Sequence, residues 1–293
     1  MKAFEALAAG NFEEGISLLG QDEPWKDTKT DLNGPFYLGF PGASGWGEGL
    51  LVASLLKRNA VHTQTAVPVF AVPEICSILR KDASFKTSPC KCFKQAADFG
   101  ARSPLAVLRS ALIGDLLDKK FQEISLSTPK RRKIGIAWAS VANEKPIPEK
   151  SIPLENLLTA IKYEKDMEFV SFQRGTSEDE VRQFLTLPTP VTQIPDSDLD
   201  NREDLTAVVQ HVDSLDAMVT ISATTAHIAA AMGKPTFVIA ARRKGSQWFW
   251  LAQKDHGKVF YPNVTVFLGG DPKNEKDWWN KPLRDAVAKL QSL

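Results

Sequence analysis

Short runs of apolar, β-branched residues alternate with amphipathic helical patterns along most of the chain. The alternation is most regular between residues 134 and 240. A buried parallel strand is apolar throughout, whereas the helix that follows it is apolar on one side only. Strands that alternate with helices in this way predict an α/β fold with a doubly wound parallel sheet.

Residues 213–240 contain the clearest strand–helix–strand unit. The run Ala217–Ile221 predicts a buried strand, and Gly233 marks the end of the helix that follows it. The hydroxyl group of Thr224 or Thr225 is suited to cap the start of that helix. A helix N-terminus of this kind attracts anions. The segment therefore predicts either an anion site or an ordinary βαβ unit.

A glycine-rich loop, Pro41–Gly49, separates a strand predicted at Pro35–Phe40 from a helix predicted at Leu50–Lys57. Glycines let a ligand approach the backbone closely, but the loop lacks the Gly-Lys-Ser/Thr ending of a P-loop. Its ionisable residue, Glu48, is interpreted either as a base aimed into a cleft or as a carboxylate that complements the helix dipole.

Further patterns complete an α/β domain in the first half of the chain. Ala66–Val72 predicts a strand, and Pro73–Arg80 predicts a helix. The segment Lys86–Lys94 is expected to be irregular. Ser103 is expected to cap a long amphipathic helix with Pro104 in its first turn.

Two short helical patterns, Lys2–Ala9 and Phe12–Leu19, begin the chain. The sequence G-N-F-E-E-G-I-x-L-L resembles the second helix of a tetratricopeptide repeat. Only one unit of repeat length is present, whereas a freestanding solenoid needs about three. We interpret this segment as a helical cap or a remnant of a repeat. The predicted organisation has three parts, residues 1–30, 31–128 and 129–293.

The composition excludes several classes of function. The net charge of +1 and the pI near 7.7 argue against a nucleic-acid groove or an anionic membrane surface. No apolar stretch approaches the ~20 residues that span a bilayer, and the N-terminus lacks the apolar centre of a signal peptide. Cys76, Cys90 and Cys92 lack the spacing of a disulfide framework or a zinc site. We expect a cytoplasmic protein with free thiols.

The second half of the chain carries an ordered set of landmarks. They are Gly135–Ser140, Lys150–Leu154, Val170–Gly175, Asp204–Ala207, Leu215-Asp216, Thr224–Ala229, Ala231–Pro235, Trp248–Leu251 and Tyr261-Pro262. Together with Gly45-Trp46-Gly47-Glu48 in the first half, this set resembles the glycosyltransferases of family 9, which are heptosyltransferase-like. It also resembles the related tetratricopeptide-linked enzymes of family 41 type.

The resemblance implies a GT-B fold, in which two Rossmann-like domains face each other across a cleft. Residues 31–128 would form the acceptor-side domain, and residues 129–293 would bind a nucleotide sugar. The implied enzyme transfers the sugar from a nucleotide-diphosphate donor to a hydroxyl or amide acceptor with inversion. The resemblance implies no metal and no cofactor, and it leaves open whether the acceptor is a glycan or a protein.

The resemblance also implies the residues of the site. Glu48 would deprotonate the acceptor, supported by the acceptor loop of Gly45, Trp46 and Gly47. Lys150 would neutralise the leaving diphosphate. The donor would be bound by Ser140, Lys150, Gln173, Arg174, Ser222, Thr224, Thr225 and His227.

Several interpretations stay open. His227 fits a core histidine as well as a donor ligand, and Trp248-Phe249-Trp250 fits packing against the sheet as well as stacking on a nucleobase. Ala223 stands where the family often has a polar side chain, so one donor contact is missing or rebuilt. Glu48 is one methylene longer than the usual aspartate. A catalytically degenerate relative that binds a nucleotide sugar or a protein partner is therefore the alternative, and an epimerase of similar fold is a third hypothesis.

Overall fold

The computed structural model describes residues 2–21, 31–32, 34–39, 46–114, 116, 131–142, 145–199, 205–242, 246–257, 259–270 and 278–293. The chain divides into two compact units. Unit 1 consists of Met1–Glu123, Arg202–Thr206 and Asp255–Pro262, and unit 2 consists of Ile124–Asn201, Ala207–Lys254 and Asn263–Leu293. The three-part division at residues 30 and 128 stays a prediction.

Unit 1 is an α/β unit that begins with the two predicted N-terminal helices. Its elements are α1 (Lys2–Ala8), α2 (Phe12–Leu19), β1 (Phe36–Tyr37), α3 (Trp46–Thr63), β2 (Val67–Ala71), α4 (Pro73–Leu79), β3 (Phe85–Pro89), α5 (Phe93–Ala97) and α6 (Pro104–Leu112). The strands form a parallel sheet in the order β1-β2-β3. Helices α1 and α2 pack against each other, and α2 also packs against α6.

Three details of unit 1 differ from the prediction. Strand β1 covers only Phe36–Tyr37, and α3 begins at Trp46, so Glu48 lies inside the first helical turn. The segment Lys86–Lys94, predicted as irregular, contains most of β3 and the start of α5. Strand β3 lies at an edge of the sheet with mostly exposed or half-buried side chains, so the apolar run that marks a buried strand is absent.

Unit 2 contains the longer series of strands and helices. Its elements are β4 (Arg132–Ala137), β5 (Val141–Ala142), β6 (Lys145–Pro146), α7 (Leu154–Ile161), β7 (Met167–Ser171), α8 (Glu178–Leu185), β8 (Val191–Gln193), α9 (Asp196–Leu199), α10 (Thr206–Asp213), β9 (Ala217–Ile221), α11 (Thr224–Ala231), β10 (Thr236–Ala240), α12 (Trp248–Asp255), β11 (Val264–Leu268) and α13 (Asn280–Gln291). A short 3-10 turn, Pro148–Lys150, lies between β6 and α7.

The sheet of unit 2 has six parallel strands in the order β11-β10-β9-β4-β7-β8. The chain runs outward from β4 through β7 to β8, returns to β9 beside β4, and then runs outward through β10 to β11. This order confirms the predicted doubly wound sheet. The direction of winding reverses between β4 and β9, which makes the carboxyl ends of these two strands the switch point of the sheet.

Burial explains why the central strands were readable from the sequence. Every residue of β9 and of β10 is buried, as expected for parallel strands covered on both faces. The core of unit 2 joins these strands to the helices α7 and α13 through residues such as Ile161, Phe237 and Leu283.

The predicted helix ends are also largely confirmed. The hydroxyl of Ser103 accepts a hydrogen bond from the Leu105 N–H at 3.0 Å, which caps α6. Ser177 is followed three residues later by Glu180, the spacing that predicts a capping box, and the two residues form a complete one at the start of α8. Gly233, with φ of +79°, follows α11 in the left-handed conformation that glycine adopts easily.

Within the described residues, no helix combines the length and the apolar character that crossing a bilayer requires.

We expect Gly49→Ala to destabilise unit 1, because Gly49 allows the first turn of α3 to lie against the end of β1. A β-carbon at this position would overlap the carbonyl oxygen of Leu38 and the side chain of Ile75. Overpacking of this kind costs about 2–3 kcal/mol, which should lower the midpoint of thermal unfolding by roughly 5–10 °C. Circular dichroism during heating measures the change.

Gly100→Ala is the matched control in the same unit. Nothing lies within 4 Å of a β-carbon at Gly100, where φ is +76°, so this change should cost only the backbone strain of about 1 kcal/mol. If both variants melt at the same temperature, the close contact inferred at Gly49 is wrong.

Candidate functional site

The switch point of unit 2 brings together two of the predicted donor-binding segments. Ala137 at the end of β4 pairs with Thr220 at the end of β9, so the loops after the two strands start side by side. One loop contains Ser140, and the other contains Ser222 and the start of α11. Because ligands of doubly wound sheets bind at this place, the loops after β4 and β9 form the candidate site.

The start of α11 differs from the prediction in its capping. The N-cap is Ala223, in an extended conformation with φ of −132°, and no side chain caps the helix. Thr224 and Thr225 are the first two helical residues, so the prediction that one of them caps the helix is wrong. The reason is that the extended N-cap conformation falls one residue earlier, on a side chain without an oxygen. The Ala226 N–H donates to the Ala223 carbonyl at 3.0 Å, whereas the N–H groups of Thr224 and Thr225 have no acceptor among the described residues.

Thr225 adds a second polar group at this helix start. Its Oγ1 atom is buried and has no hydrogen-bond partner among the described residues. A buried hydroxyl without a partner is costly, and such groups in native proteins call for an explanation. A bound acceptor atom would satisfy it.

The loop after β4 folds back onto the end of its own strand. The Ile147 N–H donates to the Ser140 carbonyl at 2.7 Å, and the Ser140 N–H donates to the Ser151 hydroxyl at 3.1 Å. The Ile152 N–H then donates to the Trp138 carbonyl at 2.7 Å. These bonds hold the intervening 3-10 turn close to Ser140 at the carboxyl edge of the sheet.

Lys150 is the last residue of that turn and is half-buried. Its ammonium group forms no ion pair with any part of the chain that the structure describes. A cation that lies near the switch point and has no counter-ion in the described ranges is suited to an anionic ligand.

Gln173 follows β7 and is 5% exposed. Its Oε1 accepts hydrogen bonds from the N–H groups of Trp138 at 3.2 Å and Ala139 at 2.7 Å, and its Nε2 donates to the Arg174 carbonyl at 3.2 Å. The amide therefore ties the loop after β4 to the loop after β7. Both lone pairs of its oxygen are therefore used. For the predicted contact with the nucleotide sugar, the Gln173 side chain has only its second N–H left. Arg174, the next residue, is half-buried.

His227 on α11 is 4% exposed, and burial lowers its pKa to about 3. Its ring stacks on Trp250 at a centroid distance of 4.6 Å and meets the edge of Phe249 at 5.0 Å. The imidazole is therefore neutral at pH 7 and cannot supply positive charge to a ligand. These contacts favour the interpretation of His227 as a core histidine.

The segment Trp248-Phe249-Trp250 forms the first turn of α12, and all three side chains are buried. Trp250 is 0% exposed, which leaves no ring face for a nucleobase. The contacts favour the packing interpretation, with His227 of α11 as a packing partner. The indole Nε1 donates a hydrogen bond to the Ser222 hydroxyl at 2.9 Å, a contact that no sequence pattern indicated.

In unit 1, Glu48 is half-buried in the first turn of α3, next to Trp46 and Gly47. Gly45, the remaining predicted loop residue, lies outside the described residues. Tyr261 is fully buried, and its pKa is raised well above its ordinary value, first by burial and then by the negative charge of Glu48. The Glu48 carboxylate therefore lies within electrostatic reach of a phenol that stays protonated.

Tyr261 reaches α3 because its neighbour is anchored there. The Ser54 hydroxyl of α3 donates to the Phe260 carbonyl at 2.8 Å, across 206 residues of sequence. In the sequence Tyr261 is only a landmark of the resemblance, since nothing in a local pattern shows that so distant a residue lies within electrostatic reach of Glu48.

The sequence Asp196-Ser197-Asp198 has the Asp-x-Asp spacing of two carboxylates that could share a metal ion, although no such pair was predicted. Both carboxylates have protein partners: Asp196 accepts from the Gly175 N–H at 3.2 Å, and Asp198 lies 2.8 Å from His211 Nε2. No cluster of three or more potential metal ligands occurs in the described ranges.

Two solved structures share the architecture of this chain. The crystal structure of the glycosyl transferase family 9 from Veillonella parvula DSM 2008 matches with a TM-score of 0.56 at 10% identity, over 90% of this chain and 97% of that chain. The structure of the E. coli heptosyltransferase WaaC with ADP matches with a TM-score of 0.52 at 11% identity, over 88% of this chain and 98% of that chain. The chain has a GT-B-like fold. No protein-family model matches the sequence, and no curated protein matches it.

These neighbours bear on the resemblance inferred from the sequence. Both are named as family 9 or heptosyltransferase proteins, so the family 9 part of the resemblance agrees with the fold. They do not support the part that concerns family 41. The N-terminal helices α1 and α2 are present, and their origin in a tetratricopeptide repeat stays a prediction.

We expect the stability of the protein to depend on pH through His227. In the unfolded chain a histidine takes up a proton below pH 6.5, whereas in the folded protein His227 stays neutral down to about pH 3. The unfolded state then binds more protons, so the free energy of unfolding falls as the pH drops from 6.5 towards 3. Between pH 7 and pH 5 the loss due to this group should be about 2 kcal/mol.

Urea unfolding at several pH values, with His227→Gln beside the wild type, measures this effect. The variant is expected to be less stable than the wild type at pH 7. Between pH 7 and pH 5, however, its free energy of unfolding should fall by about 2 kcal/mol less than that of the wild type. His62→Gln, which changes an exposed histidine on α3, is the matched control substitution. Parallel curves for the wild type and His227→Gln would contradict the buried neutral state.

Proposed function

We propose that the protein is a glycosyltransferase that moves a sugar from a nucleotide-diphosphate donor to a hydroxyl or amide acceptor. The observation that carries the proposal is the composition of the switch point in unit 2. The loops after two strands that pair with each other carry three groups. They are a helix start whose N-cap side chain makes no capping bond, the buried Thr225 hydroxyl and the Lys150 ammonium, and the latter two have no partner among the described residues. Each of these groups is suited to bind a diphosphate.

The donor diphosphate would accept hydrogen bonds from the first turn of α11. The positive end of the helix dipole and the Lys150 ammonium would stabilise the charge that develops as the nucleotide diphosphate leaves. The hydroxyl groups of Ser140, Ser222 and Thr224, on the same two loops, would donate further hydrogen bonds to the diphosphate. Stabilisation by helix and ammonium would allow the reaction to proceed without a divalent cation.

Glu48 is proposed as the general base. The acceptor oxygen would attack the anomeric carbon while the bond from that carbon to the diphosphate oxygen breaks, and the acceptor proton would pass to the Glu48 carboxylate. A single displacement of this kind inverts the anomeric centre. The neighbouring Tyr261 stays protonated, so it adds no second negative charge beside the carboxylate.

The E. coli neighbour, WaaC, is described with ADP bound. Adenosine diphosphate and its sugar derivatives are therefore the first members of a ligand panel, followed by uridine and guanosine diphosphates. A cytoplasmic location and a glycan or protein acceptor are proposed with the activity.

A degenerate relative that binds a nucleotide sugar or a protein partner without turnover is the second candidate. Ala223 favours it, because the N-cap of α11 has no side-chain oxygen to offer either the helix or a ligand. Neutral, buried His227 favours it too, since this residue supplies no positive charge to the diphosphate.

We expect Lys150→Ala to weaken the binding of ADP, UDP or GDP about tenfold, because it removes one charge-assisted contact to the diphosphate. Isothermal titration calorimetry measures the dissociation constants. Lys165→Ala is the matched control, since Lys165 is exposed and precedes β7 at the opposite, amino edge of the sheet. Equal dissociation constants for Lys150→Ala and the wild type would remove Lys150 from the site.

We expect Glu48→Gln to lower the rate of donor turnover at least a hundredfold while the dissociation constant of the nucleotide diphosphate stays unchanged. The assay follows the release of nucleotide diphosphate from a panel of nucleotide sugars. Glu13→Gln, an exposed carboxylate in the first turn of α2, is the control. Wild-type binding without turnover would favour the degenerate relative, and full turnover by Glu48→Gln would exclude this base.

A further inference from the structure

Trp250 connects α12 to the turn that follows β9. Its indole Nε1 donates a hydrogen bond of 2.9 Å to the hydroxyl of Ser222, which lies 28 residues earlier in the chain. Ser222 is the first residue after β9, so this bond is made at the switch point of the sheet.

The indole is held in place by its packing. Trp250 is fully buried, its ring stacks on His227 with an interplanar angle of 27°, and the ring of Phe249 lies at a centroid distance of 5.2 Å. His227 is itself buried on α11. A large ring enclosed in this way has few alternative rotamers, so the direction of its N–H is set by the core of unit 2.

The chemistry of the two groups determines what Ser222 can still do. An indole N–H only donates, so Ser222 Oγ accepts with one of its lone pairs. The hydroxyl hydrogen of Ser222 has no acceptor among the described residues. Accepting one hydrogen bond polarises the O–H group and makes it a stronger donor.

We propose that Trp250 is a positioning residue that directs the Ser222 hydroxyl to donate a hydrogen bond to a phosphate oxygen of the nucleotide-diphosphate ligand. This inference rests on the proposed function and deepens it. Ser222 then provides the polar contact that its neighbour Ala223 lacks. Trp250 acts through Ser222 and does not touch the ligand.

A double-mutant cycle tests the proposal. Dissociation constants for ADP, UDP and GDP are measured by isothermal titration calorimetry for the wild type, Trp250→Phe, Ser222→Ala and the double variant. Phenylalanine keeps an aromatic ring at the position but removes the N–H. Each single change should weaken the binding of the preferred diphosphate about three- to tenfold, the range of one neutral hydrogen bond. In the Ser222→Ala background, Trp250→Phe should have no further effect.

Two further variants distinguish an effect of the lost indole N–H from an effect of altered packing. Trp248→Phe removes an indole from the same helix that is not bonded to Ser222, and it should leave the dissociation constant unchanged. Replacement of Trp250 by 3-benzothienylalanine keeps the size of the indole and replaces the N–H by sulfur. It should weaken binding as Trp250→Phe does, and it decides the matter if the phenylalanine variant does not fold.

The outcomes distinguish the inference from the function on which it rests. If the wild type binds a nucleotide diphosphate and the two substitutions act additively, or the benzothienyl protein binds like the wild type, the positioning role is wrong and the proposed function stands. If the wild type binds none of the three diphosphates, the proposed function falls, and this inference falls with it.

Discussion

β4 and β9 pair in parallel although the whole of α7, β7, α8, β8, α9 and α10 lies between them in the chain. Everything proposed for unit 2 depends on this pairing. It places the loop that holds Ser140 and Lys150 next to the turn that begins α11, and neither segment alone has the groups to bind a diphosphate. The pairing also satisfies the backbone of two buried strands, so the sheet that stabilises the unit builds the candidate site with the same hydrogen bonds.

Much of the polar chemistry near this edge is used to hold the loops in place. Gln173 ties the loops after β4 and β7, and Ser151 ties the loop after β4 to itself. The groups without a protein partner in the described structure include the Thr225 hydroxyl, the Lys150 ammonium and the Ser222 hydroxyl hydrogen. A site in which most polar groups hold the scaffold and a few are left for the ligand is pre-organised, which lowers the entropy lost on binding.

The buried aromatic cluster of His227, Phe249 and Trp250 is bonded to this edge of the sheet through the Trp250 Nε1–Ser222 hydrogen bond. Because burial keeps His227 neutral, the cluster contains no charge that would need a counter-ion in the core. The sequence is compatible with packed or with stacking tryptophans, but it does not contain the direction of an indole N–H. That direction depends on how α11 and α12 pack, which no local pattern records.

Whether an element could be predicted from the sequence depends on how far its side chains are buried. The buried strand β9 has the bounds that its apolar run predicted, since a strand covered on both faces leaves a continuous signal in the sequence. The edge strand β3 and the short helix α9 left no such signal, because their side chains are largely exposed or half-buried. The cap of α11 was misplaced by one residue, since hydroxyl groups both before and inside a helix start give similar patterns.

The sequence by itself determined the α/β class, the doubly wound sheet and the segments from which a site could be built, because alternating burial and helix capping are local properties. Only the tertiary structure decided which side chains those segments leave for a ligand. It showed that the carbonyl oxygen of the Gln173 amide is already occupied, that His227 is neutral and enclosed, and that Tyr261 lies within electrostatic reach of Glu48. The physical reason is that hydrogen-bond partners, burial and electrostatic neighbours come from residues far apart in the chain, and only folding brings them together.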